Sequence, residues 1–207
     1  MTEPQWLQWS KALNALAQNG LTYAQNYFDR ERYQTVRDIA AQMLAQPFNA
    51  PPEQIADLFS LDCGYLTPKV DVRGVILCED KLLLVQERSD GLWTLPGGWA
   101  DVNESPREVV IREVWEESGF QVNPMRLLAV YDRSKHEHIP YFPVHIYKLY
   151  ILCELSGGQA TESVETSAIG FFAEDELPPL SISRVTEAQL KRFFFFHRNP
   201  HLPTDFD

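Results

Sequence analysis

Cysteine and basic residues are scarce in this 207-residue chain, and long apolar runs are missing. The three cysteines, Cys63, Cys78 and Cys153, include no Cys-x-x-Cys pair. Such scattered cysteines exclude a disulfide framework and offer no structural zinc or redox motif, so we expect buried, unreactive thiols. No apolar run approaches the roughly 18 residues that indicate a membrane-spanning helix.

The charge balance excludes another group of functions. The chain carries 18 basic and 29 acidic side chains, which gives a formal net charge of −11. This acidic excess argues against a broad surface for nucleic acid or anionic membranes, although it leaves room for a narrow basic pocket. Residues 1–6 lack a basic segment followed by an apolar core, so the sequence predicts a cytoplasmic protein without an export signal.

The first part of the chain shows helical periodicity. Its apolar residues recur at 3-4-3 spacing, namely at Trp6, Trp9, Leu13 and Leu16. The pattern predicts a helix that ends at Asn19-Gly20, a short helix over residues 21–28 and an amphipathic helix over residues 33–44. Pro47 is predicted to end this set, and residues 52–59 form a further short helix. Helices this short need each other, the following domain or a second subunit to bury their apolar faces.

A strand pattern follows and continues through most of the remaining chain. Runs rich in β-branched and leucine residues predict strands over residues 70–78, 81–87, 126–132, 144–155 and 169–172. Glu79-Asp80 is typical of a hairpin turn, residues 133–138 of a polar loop, and residues 186–196 of a final helix. Strands interspersed with only two long helices predict a mixed sheet covered by helices, which is an α+β fold.

One helix in this part has clear signals at both ends. Ser105-Pro106-Arg107-Glu108 is typical of a capping box with proline at the first helical position. Gly119 can adopt the left-handed conformation that closes a helix. The sequence therefore predicts a helix of about four turns that starts near Ser105 and stops before Gly119.

This helix carries three acids on one face. Glu113, Glu116 and Glu117 stand at positions i, i+3 and i+4, so their carboxylates crowd together and repel each other. Solvation, the neighbouring Arg112 or a hard divalent cation with oxygen ligands can offset that repulsion. The pair Gly97-Gly98 lets the preceding backbone bend sharply, and a bare carbonyl there can join a metal site.

The whole run fits the pattern Gly-x5-Glu-x7-Arg-Glu-U-x-Glu-Glu-x-Gly-U, in which U is apolar. Every fixed position matches, and these positions are Gly98, Glu104, Arg112, Glu113, Val114, Glu116, Glu117, Gly119 and Phe120. The run resembles the Nudix box of the Nudix hydrolases. This resemblance implies a Nudix α/β/α sandwich with a mixed β-sheet over residues 67–207. It is preceded by a small all-helical domain over residues 1–66, which can serve dimerisation.

The same resemblance implies roles for residues within the run. Glu116 and Glu117 would be the principal metal ligands, and Glu113 would be a further ligand or the general base. The carbonyl of Gly98 would add another ligand, and Arg112 would orient the glutamates. Carboxylate oxygens with retained waters are the ligands that Mg2+ prefers, and Mn2+ accepts the same set.

Residues outside the run complete the predicted site. Several Nudix enzymes bring an additional acid from a late loop, and the candidate here is Glu165, ahead of its neighbour Glu162. The second acid expected after Glu165 is replaced by Ala168, a departure from the family pattern. Cations for the phosphates and an aromatic ring for the base come from separate segments, and the candidates are Arg73, Arg88, Arg133 and Trp99.

A second resemblance covers nearly the whole chain. The N-terminal helical segment and residues 69–73, 95–102 and 177–181 are similar to a bacterial Nudix subgroup that includes CDP-choline and ADP-ribose pyrophosphatases. This implies Mg2+-dependent cleavage of a nucleoside diphosphate derivative into a nucleoside monophosphate and a phosphorylated partner, carried out by a homodimer. Two alternatives stay open: a house-cleaning nucleoside triphosphate pyrophosphatase, and a nucleotide-sensing regulator that binds without turnover.

Overall fold

A computed structural model describes residues 3–60 and 62–207 of the chain. They form two compact units. One unit reaches to Pro68 and includes Phe142–His145, and the other comprises Lys69–Tyr141 and Ile146–Asp207. The predicted domain boundary between residues 66 and 67 stays a prediction. Within the described ranges, every helix is too short or too polar to cross a membrane.

Three helices form the first unit, namely α1 (Gln5–Tyr23), α2 (Tyr27–Phe48) and α3 (Pro52–Ser60). The predicted helix end at Asn19-Gly20 is wrong, because α1 runs through both residues. A Cβ atom at this glycine would collide with the ring of Tyr33 on α2, so the glycine permits close helix packing. The separate helix predicted over residues 21–28 is also wrong, because Asn26 caps the start of α2 with its side chain.

The buried face of α1 differs from the predicted apolar stripe. Leu7, Ser10 and Ala17 are buried, and the Ser10 hydroxyl donates to the carbonyl of Ala40 on α2 at 2.8 Å. Three large side chains spaced seven residues apart point away from this face. They are Trp9, Leu16 and Tyr23, with exposed fractions of 56%, 60% and 68%. We call these three residues the exposed stripe.

The second unit is built on one eight-stranded sheet. Its elements are β1 (Lys69–Cys78), β2 (Lys81–Glu87), β3 (Trp93–Thr94), β4 (Gly97–Trp99), α4 (Pro106–Ser118), β5 (Phe120–Asp132), β6 (Ile146–Gly158), β7 (Thr166–Phe172), α5 (Glu187–Arg198) and β8 (Asp205–Phe206). The strand order is β3-β2-β1-β6-β5-β8, with β4 paired to β1 and β7 paired to β2. The β1–β6 and β5–β8 pairs are parallel and the other pairs antiparallel, which confirms the predicted mixed sheet.

Helices α4 and α5 contribute to separate cores of this sheet. Side chains alternate along a strand, so β1 can pack on both faces. Val72 belongs to a buried cluster with Val114 of α4. Val75 belongs to a second cluster with Phe193 of α5. The sheet therefore lies between helices, and the predicted α+β fold is confirmed.

Two strands begin several residues before their predicted starts because their ladders are irregular. β5 begins at Phe120 rather than at residue 126, and its pairing with β6 contains three register shifts. Such shifts interrupt the alternation of apolar and polar side chains that identifies a strand in a sequence. β7 begins at Thr166 rather than at residue 169, beside another register shift.

The cysteines match the sequence expectation only in part. Cys153 is buried as expected, and burial raises the pKa of its thiol to about 12. Cys63 and Cys78 are exposed, so the prediction of a buried thiol is wrong for both. Cys78 is the last residue of β1, where the chain turns toward β2 and leaves the core.

Candidate active site

Helix α4 begins and ends where its local signals predict. Ser105 is the N-cap, and its hydroxyl oxygen accepts a hydrogen bond from the Glu108 amide at 3.3 Å. The Glu108 carboxylate accepts in return from the Ser105 amide at 2.8 Å. Gly119 closes the helix in the left-handed conformation, with φ of 75°. These contacts fix the length of the helix that carries the three acids.

Arg112 offsets the repulsion between those acids. Its Nη1 group donates to Glu113 at 2.9 Å and to Glu116 at 3.1 Å. Its Nε and Nη2 groups donate to the Glu104 carboxylate at 2.9 to 3.1 Å. One guanidinium therefore holds three carboxylates. Its charge is the compensating cation for these acids, and an orienting role for Arg112 stays a prediction.

Glycines 97 and 98 bring the β4 backbone against α4. The Gly97 amide donates to the Glu117 carboxylate at 2.8 Å. A Cβ atom on Gly98 would lie 2.9 Å from both carboxylate oxygens of Glu113, and one on Gly97 would collide with the Val72 carbonyl. Any larger residue would push the loop away from the helix. The glycine pair therefore permits direct contact between backbone and carboxylates.

Glu117 is the most buried of the three acids, with 5% of its surface exposed. Burial raises its pKa to about 8, even though Arg73 and the Gly97 amide lower it, and Glu113 adds a like charge. Burial also raises the pKa of Glu113, against the opposing effect of Arg112. Both acids therefore hold protons more tightly than an exposed glutamate, and a bound cation would favour their ionised forms.

Arg73 lies in a buried ionic network beside these acids. It forms two hydrogen bonds with Asp71, at 3.0 and 2.8 Å, and a third with the Leu95 carbonyl at 3.1 Å. Lys148 donates to the same Asp71 at 2.6 Å from the parallel strand β6. Burial alone would raise the pKa of Asp71, but the two cations hold it well below its usual range. The charge of Arg73 also acts on Glu117.

Arg88 forms hydrogen bonds with the late acidic loop, which comprises residues 161–166. The Arg88 amide donates to the Glu165 carbonyl at 2.8 Å. Its guanidinium donates to the Ser163 carbonyl at 3.1 Å and to the Glu162 carboxylate at 3.0 Å. The carboxylate of Glu165 is exposed, and its charge acts on Glu87 at the end of β2. The structure thus brings Arg88 and Glu165 together.

The other two predicted substrate contacts differ in exposure. Arg133 is buried, and its guanidinium donates to the carbonyls of Ser183 and Pro140 at 2.8 to 3.3 Å. These bonds hold the segment before α5 to the loop after β5. Trp99 ends β4 with 48% of its surface exposed, so its ring is accessible to a ligand.

Glu87 is an acid that the sequence analysis missed. It is buried at the end of β2 and forms an ion pair with Arg184 Nε at 3.0 Å. Burial raises its pKa, against the opposing charges of Arg184 and Arg73. A lone glutamate at a strand end gives no local sign of such a position. The only available signal was its place immediately before Arg88 and the turn that leads into the glycine pair.

The donors around Gly98 suit a hard divalent cation, because they are carboxylate and carbonyl oxygens. Gly98 has no side chain of its own to crowd the Glu113 carboxylate. Across residues 3–60 and 62–207, no three His, Cys, Asp or Glu side chains are arranged to hold one ion as they stand. Arg112 binds Glu113 and Glu116, whereas the Gly97 amide binds Glu117. The residues fit such an ion in chemistry, and their carboxylates must turn toward it.

Two family models match the chain. Residues 4–59 match a model described as a UDP-X-like, N-terminal oligomerisation domain. Residues 68–193 match the NUDIX domain. Each match covers one type of structure, the first helical and the second built on the mixed sheet.

Named proteins resemble the chain over comparable lengths. Bacillus subtilis (strain 168) YjhB, provisionally named an ADP-ribose pyrophosphatase, is 44% identical over 99% of this chain and 98% of its own. The crystal structure of a UDP-X diphosphatase covers 100% of both chains with 32% identity and a TM-score of 0.64. An ADP-ribose pyrophosphatase from Streptococcus suis 89-1591 covers 68% of this chain and 100% of its own, with 45% identity and a TM-score of 0.62.

The raised pKa of Glu117 predicts a pH-dependent stability of the metal-free protein. The folded-state pKa of about 8 lies above the ordinary value of 4.5, so the folded protein favours the protonated acid. This stabilisation is complete below the ordinary pKa and is lost as the pH rises through about 8. Glu117→Gln removes the titration but keeps an oxygen for the Gly97 amide. We expect urea unfolding in EDTA to show less loss of stability between about pH 5 and pH 8.5 in this variant, by at least about 1.4 kcal/mol.

The matched control for this measurement is Glu187→Gln. Glu187 is exposed on α5 and pairs with Lys191, so this variant should follow the wild-type pH dependence. An equal loss of stability in the wild type and in Glu117→Gln would contradict the assignment of the titration to Glu117.

Proposed function

Since the chain belongs to the Nudix hydrolase family, enzymes that act on diphosphate bonds, we propose that it is a Mg2+-dependent hydrolase of nucleoside diphosphate derivatives such as CDP-choline. The products would be a nucleoside monophosphate and a phosphorylated partner. The observation that carries this proposal is the close approach of the Glu113 and Glu117 carboxylates to the Gly97–Gly98 backbone.

Four residues would hold the metal ion, namely Glu113, Glu116, Glu117 and the carbonyl of Gly98. A bound divalent cation would neutralise the charge of the diphosphate and lower the pKa of a coordinated water. The carboxylate of Glu116 is 50% exposed, so it can turn from Arg112 without crossing the core. Arg112 would keep Glu104 and orient the remaining carboxylates. Mn2+ would be accepted by the same ligands.

Glu165 is the proposed proton acceptor. Its carboxylate is exposed and has no hydrogen-bond partner within the described part of the chain, so it is available to a water molecule. The water oxygen would bond to one phosphorus while the bond from that phosphorus to the bridging oxygen breaks. The water proton would pass to Glu165, and the bridging oxygen would leave with the other phosphate.

The predicted substrate contacts divide by burial. Arg88 has 47% of its side chain exposed, so it can contact a phosphate at the edge of the site. Trp99 can stack on the base. Arg73 and Arg133 are buried and bonded to other groups, so we assign them positioning roles. In particular, Arg73 would keep Glu117 in place through its charge.

The comparisons support a diphosphate joined to a second moiety as the substrate class. Two similar proteins are named for ADP-ribose and one for UDP-X, and each name describes a nucleoside diphosphate derivative. ADP-ribose is therefore the second candidate beside CDP-choline. A sensor without turnover is disfavoured because a full set of box carboxylates is present.

We expect Glu116→Gln and Glu117→Gln each to lower turnover by at least about 100-fold, because each removes a charged metal ligand without changing side-chain shape. The measurement is a Mg2+ hydrolysis screen with product identification over CDP-choline, ADP-ribose, NADH, diadenosine polyphosphates and oxidised nucleotides. Glu187→Gln, on the exposed face of α5, is the control and should retain activity.

Two results of this screen would count against the proposal. Full Mg2+-dependent activity in both Glu116→Gln and Glu117→Gln would contradict the mechanism. Release of inorganic pyrophosphate from a triphosphate, with diphosphate derivatives left intact, would favour the house-cleaning alternative.

We also propose that the first unit associates with a second copy of itself to form a homodimer. The exposed stripe carries three large apolar side chains at heptad spacing, which suits pairing with another helix. Residues 4–59 match an oligomerisation domain model, and this supports a second copy of the chain as the occupant.

A double variant tests the proposed dimer. Trp9→Glu with Leu16→Glu places two charges on the exposed stripe, so we expect a monomer by size-exclusion chromatography with light scattering. Thr22→Glu, at an exposed position on another side of α1, is the control and should stay dimeric. A monomeric wild type, or a double variant that remains dimeric, would reject the assigned surface.

A further inference from the structure

The segment from Thr161 to Thr166 closes the carboxyl end of α4. The last carbonyls of a helix lack partners within the helix and need donors from elsewhere. The Thr161 amide donates to the Ser118 carbonyl at 2.9 Å. The Thr166 hydroxyl donates to the Glu117 carbonyl at 2.7 Å. Both ends of the late acidic loop are therefore bonded to the last turn of the helix that carries Glu117.

Two glycines allow this close approach. A Cβ atom on Gly119 would lie 2.5 Å from the Gln159 carbonyl oxygen and 2.7 Å from the Thr161 Cβ. A Cβ atom on Gly158 would collide with the Gly119 carbonyl. The backbone around the late loop thus contacts the end of α4 directly. This contact is independent of the hydroxyl bonds and holds the loop at the same place.

Within the loop, two hydroxyls form a directed chain. Thr166 has one hydroxyl hydrogen, and it is donated to the Glu117 carbonyl. The 3.0 Å contact between the Ser163 and Thr166 hydroxyls must therefore have Ser163 as the donor. The Ser163 oxygen in turn accepts from the amides of Glu165 and Thr166, each at 3.1 Å. Every hydrogen has one acceptor, so the chain leads from the Glu165 backbone to the Glu117 backbone.

The inner end of this chain, the bond from Thr166 to Glu117, is buried, whereas the bond from the Glu165 amide lies at the surface. Thr166 is fully buried, and its backbone pairs with Glu87 in the β2–β7 ladder. Arg88 holds the outer side of the loop through the carbonyls of Ser163 and Glu165. Buried hydrogen bonds fix geometry more strictly than exposed ones, because neither partner can exchange to solvent at low cost.

We propose that Ser163 and Thr166 are positioning residues. Their hydroxyls would fix the backbone of Glu165 in the late loop relative to Glu117 at the end of α4. Thr166 would fix Glu117 for metal binding, and Ser163 would fix Glu165 for proton transfer. Neither hydroxyl touches the substrate. This inference rests on the proposed function for the roles of Glu117 and Glu165.

The first test removes the Thr166 hydroxyl. Thr166→Val keeps the branched shape and leaves the Glu117 carbonyl without its donor, whereas Thr166→Ser restores the donor. We expect Mn2+ binding, measured by electron paramagnetic resonance without substrate, to weaken by about 10- to 100-fold in Thr166→Val and to recover in Thr166→Ser. Ser167→Ala is the control, because the Ser167 hydroxyl bonds to Gln86 instead of the helix, and it should bind Mn2+ like the wild type.

The second test separates the two hydroxyls. Ser163→Ala keeps the Thr166 hydroxyl as the donor to the Glu117 carbonyl and removes the acceptor for the amides of Glu165 and Thr166. We expect kcat to fall by about tenfold or more in this variant while Mn2+ affinity stays at the wild-type value. If Thr166→Val fails to fold, as judged by thermal unfolding, Thr166→Ala replaces it in the Mn2+ measurement, because it also removes the donor to the Glu117 carbonyl.

Different measurements would overturn the roles of the two hydroxyls and the proposed function. An unchanged Mn2+ affinity in folded Thr166→Val, or an unchanged kcat in Ser163→Ala, would overturn the role of the corresponding hydroxyl. A wild type without turnover on any diphosphate derivative would overturn the proposed function instead. The Mn2+ measurement needs no substrate, so it would still test the effect of Thr166 on Glu117.

Discussion

Three carboxylates lie close together on the last turns of α4, and the positive charge of the Arg112 guanidinium offsets the repulsion between them. The guanidinium forms hydrogen bonds with Glu104, Glu113 and Glu116 at once. Glu117 is stabilised differently, by the Gly97 amide and by the charge of the buried Arg73. Repulsion between acids is thus offset by two cations and one backbone dipole. Each of these compensating groups also determines where a carboxylate can turn.

The remaining elements bring backbone to those acids. β4 pairs with β1, and the glycine pair lets its backbone touch Glu113 and Glu117. The late loop meets the other end of the helix through Thr161, Thr166 and the close approach at Gly119. Helix α4 therefore has the backbone of the glycine pair on one side and the late acidic loop at its carboxyl end. A diphosphate site is the use that this combination of charges suits best.

Features with a local cause were predictable from the sequence. The ends of α4 follow from the capping box at Ser105 and from Gly119, and both are confirmed. The mixed sheet and its covering helices followed from the strand patterns and the box resemblance. The helix end at Gly20 was mispredicted because that glycine packs against the ring of Tyr33 on another helix. A contact between helices leaves no local pattern in the sequence. The start of β5 was missed because bulges break its alternation.

Contacts between distant segments explain what was missed in the site. Glu87 is paired with Arg184, which lies far later in the chain, and is also affected by the charge of the buried Arg73. The direction of Arg73 depends on its bonds to Asp71 and Leu95, so a strand arginine could be placed near the site but not oriented. The same applies to the Thr166 hydroxyl, whose partner is a helix carbonyl.

We propose above that α4 and the glycine pair hold a divalent cation between them. Anomalous diffraction from crystals of the protein grown with saturating Mn2+ tests this claim most directly. We expect a manganese peak in contact with the Gly98 carbonyl and the carboxylates of Glu113 and Glu117. A peak confined to another surface, or no peak beside Gly98 at saturating Mn2+, would contradict it.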